Sequence, residues 1–470
     1  MIRYGISEGF HDASITVMED NDILFAAHSE RYSGVKNDKR LNEELIHDAL
    51  QFGKPDRIYY YERPWLKNLR RLIAGQKLKK HTIKQELRNY GIKAPISYTT
   101  HHKSHAAAGM FTSPFVNSSI LCIDAIGEFT TTSIWNEKLR KKWSQNYPKS
   151  LGLFYSAMTD RVGLKPMEDE YILMGMAAYG SPYGYLLPMR DLLKKNLHKG
   201  CRDWLPGESE SMRFDMAATA QMIYEEEFEK LLIKTKEYDK SGNLVLMGGC
   251  ALNCVANTIA LKYFDNVWIM PNPGDAGSSL GAILAHTKKH VNFSPYLGHN
   301  ITGAYPAQDL LLELLDTGIV GVANGSAEFG PRALGNRSLL ADPRGADIKD
   351  KVNRIKKRQE FRPFAPVILQ EEANNYFEMP WNIDSSYMQY VVKCKRPDLF
   401  PAIVHKDGTS RVQTVTRKQH PGLYQLLVAW RDKTGCPMLL NTSLNIKGKP
   451  IVNTYEDGQL FSKTYGIKVF

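Results

Sequence analysis

Residues 118–135, SSILCIDAIGEFTTTSIW, predict a β-strand, a tight loop led by an acid, and a second strand. The two runs are rich in Ile, Leu, Thr and Trp, which suit a pleated, half-buried surface. The chain has already used this design once. Residues 2–19, IRYGISEGFHDASITVME, predict a strand, the loop GFHDA and another strand, with DILFAAHSE as a third beyond the Asn21-Asp22 turn. Downstream, NLVLMGG predicts a buried strand running into the turn GGCALN, ahead of a helix over CVANTIALKYF. NVWIMP then leads into PGDAGSSLGAILAHTKKH, a glycine-rich loop that opens a helix. Two strand–acid-loop–strand units and two strand–glycine-loop units imply an α/β domain of duplicated type, closing over a phosphate-bearing ligand.

At 470 residues, 43% hydrophobic and 24% charged, the chain has the composition of a globular protein of two domains. We expect the first over 1–290 and an α+β domain over 305–470, with VNFSPYLGHNITGAY as the linker. The first residues lack the apolar core of a signal peptide, and no run approaches the roughly 18–20 apolar residues of a membrane span. The six cysteines are scattered without a CxxC pair, as for reduced thiols. The expectation is therefore a cytoplasmic protein with no membrane partner. The net charge of +11 is uneven: residues 67–93 hold nine Lys or Arg against Glu86 alone. That stretch predicts a basic helical hairpin, read either as a solvated face or as a landing site for a phosphorylated or nucleic-acid partner.

HHKSHAAAG, residues 101–109, sets His101 and His105 four apart, so a helix stacks both imidazoles on one face. Asp124 in CIDAIGE and Asp275 in PNPGDAGSS are the carboxylates that could join them. Two imidazoles and two carboxylates suit Fe, Mn or Zn. The glycine-flanked loops also let backbone approach phosphate or ribose closely, and they offer Asp12, Glu128, Gly248, Gly249 and Asn253 to a nucleotide. In the second half, EFGPRALGNRSLLADPRG and NRIKKRQEFRPFAP carry Arg332, Arg337, Arg344, Arg354, Lys356, Lys357, Arg358 and Arg362 among Pro, Gly and Phe. Guanidinium forks held in this way match phosphate oxygens. Arg411, with Asn441, Thr442 and Ser443 of LLNTSLN, extends the set.

These motifs together resemble the NodU/CmcH/TobZ-type O-carbamoyltransferases. The matching stretches run in family order and include GFHDAS, HHKSHAAAGMFTSPF, IDAIGE, DEYILMGMAAYG, DMAATAQ, MGGCALNCVANT, EFGPRALGNRSLLADPR, FRPFAP, DGTSRVQTV and LLNTSLN. The resemblance implies an actin-like ATPase (Kae1-like) domain followed by a YrdC-like domain. It implies that carbamoyl phosphate and ATP, with Mg2+, form carbamoyl-adenylate, and that an acceptor hydroxyl then takes the carbamoyl group and releases AMP. By the same resemblance His101, His105, Asp124 and Asp275 hold an iron-type metal. Arg332, Lys356, Arg358, Arg362, Arg411, Asn441, Thr442 and Ser443 bind the first pair of substrates. Gly248, Gly249 and Asn253 face the adenylate. His11, Lys36 and Asp215 match positions at the transfer site, with Asp215 as base; its competing role is to cap a helix start. The family has a lysine where Ile172 stands and a histidine where Asn37 stands. A sugar, a nucleoside or nucleotide and a secondary metabolite all remain open as acceptor, and a homodimer as assembly. The competing functions are a tRNA threonylcarbamoylation factor and a non-catalytic nucleotide-dependent binding module.

Overall fold

The computed structural model describes residues 1–205, 209–359, 361–362, 364–380 and 383–470. They form two units: Met1–Ala26 with Lys39–Phe293, and Ala27–Asp38 with Ser294–Phe470.

The first unit contains the repeat. Its first sheet comprises β1 (Ile2–Ser7), β2 (Ser14–Glu19), β3 (Asp22–His28), β4 (Arg57–Tyr60) and β5 (Ile96–Tyr98), in the order β3-β2-β1-β4-β5. The second comprises β6 (Ser119–Ile123), β7 (Thr130–Asn136), β8 (Lys141–Asn146), β9 (Asn243–Met247) and β10 (Asn266–Trp268), and read as β8-β7-β6-β9-β10 its order is the same. Directions also agree. β1 pairs antiparallel with β2 and parallel with β4, as β6 does with β7 and β9. This duplicated mixed sheet is the actin-like ATPase arrangement. It places the GFHDA and DAIGE loops at equivalent hairpins.

Two helices, His101–Thr112 and Ser278–Thr287, pack against each other. Every residue of the first except Lys103 is buried, so its alanines and glycine serve packing on all sides. Close approach depends on missing side chains. A Cβ on Gly281 would lie 2.0 Å from the Ser104 carbonyl oxygen, and one on Gly5 1.9 Å from that of Ser279. Buried hydroxyls complete the join: Ser14 Oγ donates to the Ala276 carbonyl at 2.7 Å, and Thr16 Oγ1 meets Ser279 Oγ at 2.8 Å.

The second unit adds β11 (Tyr296–Ile301), β12 (Ile319–Ala323), β13 (Gly325–Glu328), β14 (Arg337–Ala341), β15 (Ala365–Leu369), β16 (Val391–Lys393), β17 (Thr409–Arg411), β18 (Gln413–Val415) and β19 (Met438–Ser443). Its main sheet runs β12-β14-β19-β15-β18, with helices Ala307–Thr317 and Pro421–Thr434 supplying apolar faces to a core around Leu310, Leu440 and Trp430. Part of the expected linker is therefore a strand, since β11 pairs with β13. The segment Ala27–Asp38 also belongs here, where Arg31 Nη2 donates to the Gly330 carbonyl at 2.9 Å. The helix expected over CVANTIALKYF is a single turn, Cys254–Asn257, followed by a tighter one, Thr258–Lys262. The β-branched residues there hold helices weakly, and Asn257 Nδ2 is drawn to the Ala251 carbonyl at 2.8 Å. No helix among the described residues is long and apolar enough to cross a membrane.

The helix crossing is testable. Gly281→Ala should destabilise the protein by about 2–3 kcal/mol in chemical denaturation, because the new methyl meets a backbone carbonyl. Gly184→Ala, where a Cβ meets nothing within 4 Å, should leave the midpoint unchanged.

Candidate metal centre

The histidine helix begins at His101 without a side-chain cap from Thr100. Glu128 takes that role from the DAIGE loop: both its carboxylate oxygens accept from the His101 amide at 3.1 Å, and Oε1 also accepts from the Arg63 amide at 3.0 Å. The helix start is thus fixed by the second hairpin, and the two imidazoles project side by side. His101 Nε2 and His105 Nε2 lie 3.1 Å apart.

Two carboxylates meet them. Asp124 ends β6, uses Oδ1 to accept from the Ala125 amide at 2.8 Å, and turns Oδ2 to within 2.8 Å of His101 Nε2 and 3.4 Å of His105 Nε2. Asp275 opens the turn that leads into the helix Ser278–Thr287, and its Oδ1 lies 3.2 and 3.3 Å from the same nitrogens. The four donor atoms lie within 4.8 Å of one another and all four residues are buried.

This donor set fits a metal. Two nitrogens facing each other at hydrogen-bond distance can share one proton at most, while both point at the same two oxygens. Burial raises the pKa of each carboxylate, as does the like charge beside Asp124; the histidines nevertheless hold both well below the usual range. Burial likewise opposes charge on His101, yet Asp275, Asp124 and Glu62 raise its pKa well above the ordinary value. A divalent cation at the convergence point would provide the positive charge with neutral imidazoles. The outer nitrogens are oriented as ligands require: His105 Nδ1 lies 3.1 Å from Ser278 Oγ, and His101 Nδ1 faces Glu62 Oε2 at 3.9 Å.

His11 stands at the edge of this group, with a quarter of its side chain exposed. Its Nε2 is 3.6 Å from Asp275 Oδ2 and its Nδ1 is 3.0 Å from Asp12 Oδ2. Burial works against its charge, but Asp275 and Asp12 push its pKa up to about 9. Gly249 closes the opposite side, where a Cβ would lie 3.2 Å from Asp124 Oδ1; Gly248, at φ 92°, would clash with the Ile123 carbonyl. Asn253 exchanges both of its amide atoms with Gln221, at 3.1 and 3.2 Å, and Gln221 accepts from Tyr155 Oη at 2.6 Å. Ser209 caps the long helix Glu210–Lys236; Asp215 lies inside it and accepts from the Ser181 amide at 2.6 Å. Lys36 belongs to the segment that packs with the second unit, and Asn37 there uses its amide on Glu30 Oε2 at 2.8 Å. Ile172 is buried.

In the second unit, Lys356 is buried and donates to the Ser443 carbonyl, Ser443 Oγ and Asn445 Oδ1 at 2.5, 3.1 and 2.6 Å. Burial, then Arg358 and Arg362, lowers its pKa well below the usual value. Arg358 lies 3.7 Å over the Phe364 ring and donates to the Arg362 carbonyl at 3.2 Å. His405 senses Arg411, Lys349 and Arg358, which together with burial push it down to about 4 despite Asp407. Asn441 bonds Gln413 at 2.6 Å, Thr442 lies beside it on β19, and Arg332 is half-buried ahead of β14. Arg337 and Arg344 leave the expected phosphate-binding group. Arg337 is fully buried and donates to the carbonyls of Asn453, Asn324, Gly325, Asn336 and His299; Arg344 pairs with Asp342 at 2.7 Å. Sequence reasoning passed over Glu62, whose signal was an acid ending the aromatic strand RIYYYE, and Ser278 and Gln221, which lie inside quoted motifs.

The comparisons with known proteins now have a geometry to meet. A carbamoyltransferase N-terminus family model matches residues 60–284, and a carbamoyltransferase C-terminus model matches 312–469. The chain belongs to the carbamoyltransferase family. It is 32% identical to the uncharacterized protein sll1178 of Synechocystis, over 96% of this chain and 92% of that one. With nodulation protein NolNO of Sinorhizobium fredii it shares 31% over 95% of this chain and 76% of the relative. With the 3'-hydroxymethylcephem-O-carbamoyltransferase of Amycolatopsis lactamdurans it shares 28% over 97% and 95%. This carbamoyltransferase is a transferase whose first unit carries a metal-competent centre.

Metal analysis of the purified protein tests that centre. Wild type should carry about one transition metal per chain, and His105→Ala or Asp275→Ala should lose it. Ser278→Ala, which frees the outer nitrogen of His105, should weaken metal affinity about 10-fold.

Proposed function

We propose that this carbamoyltransferase is ATP-dependent and works in two steps, one in each unit. The supporting observation is the buried two-histidine, two-aspartate centre between equivalent hairpins of the duplicated fold, in a chain of this family. In the first step, water releases orthophosphate from carbamoyl phosphate. The carbamate oxygen then attacks the α-phosphorus of Mg2+-bound ATP, giving carbamoyl-adenylate and pyrophosphate. We assign this step to a YrdC-like second unit. Lys356 beside Arg358 and Arg362 is a buried cation whose neighbours repel its charge, so crowded phosphates stabilise it. Arg332, Arg411, Asn441, Thr442 and Ser443 complete that pocket.

In the second step an acceptor hydroxyl attacks the carbamoyl carbon and AMP leaves. The metal, iron by the family resemblance, would polarise the carbamoyl carbonyl and grip the adenylate. Gly248, Gly249 and Asn253 lie against the adenylate, with Asp12 and Glu128 on its loops. His11, held by Asp12 Oδ2 at 3.0 Å from its Nδ1, orients the transferred group, and Asp215 takes the acceptor proton. This chemistry belongs in the cytoplasm, where ATP and carbamoyl phosphate are available.

Incubation with ATP, Mg2+ and carbamoyl phosphate should release pyrophosphate, and His101→Ala should keep that release while losing carbamoyl transfer. Lys356→Ala should cut pyrophosphate release at least 100-fold. Absence of turnover in metal-loaded wild type overturns the proposal. Turnover with bicarbonate and threonine, but not with carbamoyl phosphate, points to threonylcarbamoylation of tRNA.

A further inference from the structure

Beside the metal centre, within the first unit, lies a cavity of about 140 Å3 whose wall includes Phe10, His101, Lys67, Arg70, Arg71 and His198. Among the described residues Glu62 is the one acid in that wall, and Lys67 pairs with it at 2.7 Å. The remaining charge is positive. It comes from the helix Pro64–Ile73, the start of the basic stretch that the two-step reading leaves unused.

Lys67 is paired with Glu62 and Arg71 Nη1 donates to the Lys77 carbonyl at 3.2 Å, but other nitrogens in this wall have no partner among the described residues. Arg70 is 4% exposed, and among the described residues its Nε and Nη1 have no hydrogen-bond partner. Arg71 Nε and His198 Nδ1 are buried in the same condition. Leaving a charged donor buried and unsatisfied costs about 1–3 kcal/mol or more. The guanidinium of Arg70 is also steadied, lying 5.8 Å from the centre of the Tyr147 ring. Arg70 and Arg71 both line the cavity, so an oxyanion there would meet two guanidinium groups at once. The space is several times what one water molecule needs, so it admits a phosphate group.

The wall includes none of Gly248, Gly249 or Asn253, the residues assigned to the adenylate, so the anion belongs to a second molecule. Phe10, which precedes His11, and the metal-centre residue His101 share this wall with the cations, and Lys67 Nζ lies 5.0 Å from the Phe10 ring centre. We propose that this cavity is the subsite for a phosphate, or an oxyanion of similar charge, carried by the hydroxyl acceptor. The proposal rests on the carbamoyl-transfer reading and narrows its acceptor to an anionic molecule.

The test titrates inorganic phosphate, and separately AMP, into the full chain by calorimetry. The proteins are wild type, Arg70→Gln, Arg71→Gln, Arg70→Lys and Lys356→Met, each first checked by thermal unfolding. Both glutamine variants should weaken one phosphate-binding event at least 10-fold, and Arg70→Lys should recover part of it. Lys356→Met, which removes a cation of the second unit, should leave that event intact. AMP affinity should stay within twofold of wild type in the Arg70 and Arg71 variants. Unchanged phosphate binding in both glutamine variants overturns the inference. So does a parallel loss of AMP binding, which would assign the cavity to the adenylate phosphate. Wild type that releases no pyrophosphate, yet binds phosphate through Arg70, overturns the two-step reading and leaves an anion site.

Discussion

The contact on which the metal centre depends is backbone against backbone, where Gly281 passes the Ser104 carbonyl. A methyl group there would sit 2.0 Å from that oxygen. At this separation the helix that carries His101 and His105 lies against the helix that Asp275 introduces. Asp124 arrives from β6, and Glu128, four residues on, holds the amide of His101. Three segments distant in sequence therefore converge within hydrogen-bond range, and none could do so if a larger side chain separated the helices. The run of alanines after HHKSH and the glycine in SSLGAI have a common purpose.

Charge explains why the centre is deep. Two carboxylates and two imidazoles placed this close would be costly with water excluded, unless a cation gathered them. Glu62 joins this centre to the anion cavity. One oxygen faces His101 Nδ1 at 3.9 Å and the other accepts from Lys67 at 2.7 Å. The carboxylate therefore stands between the Lys67 ammonium and the outer edge of the His101 imidazole.

The duplicated architecture was legible because strand, acidic loop and strand recur with a recognisable pattern, and the side-by-side placing of His101 and His105 because helical spacing is a local property. Other features depend on contacts that spacing does not encode. Ala27–Asp38 joins the second unit through long-range packing, including Tyr32 edge-on to His299. Glu128 caps a helix 27 positions earlier in the chain, and no local motif announces that. The stretch taken as a linker contains β11 because its partner β13 follows only after a helix and a strand. Cysteine chemistry followed composition: the six thiols are free, and four of them are buried.

The arginines show where sequence alone runs out. Arg337 and Arg358 both belong to arginine-rich stretches that also carry proline, and pattern treats them alike. In the fold, Arg337 spends its guanidinium on five backbone carbonyls and has nothing left for a ligand. Arg411, by contrast, keeps a buried Nε without a partner among the described residues, close to other cations that depress His405. Arg70 shows the same condition in the first unit. A buried guanidinium that is fully bonded is part of the scaffold. One that retains free N–H groups carries an unmet electrostatic cost, and an oxyanion removes that cost on binding. How many of a guanidinium's donors are already used is thus a property of the folded chain that the sequence pattern does not give.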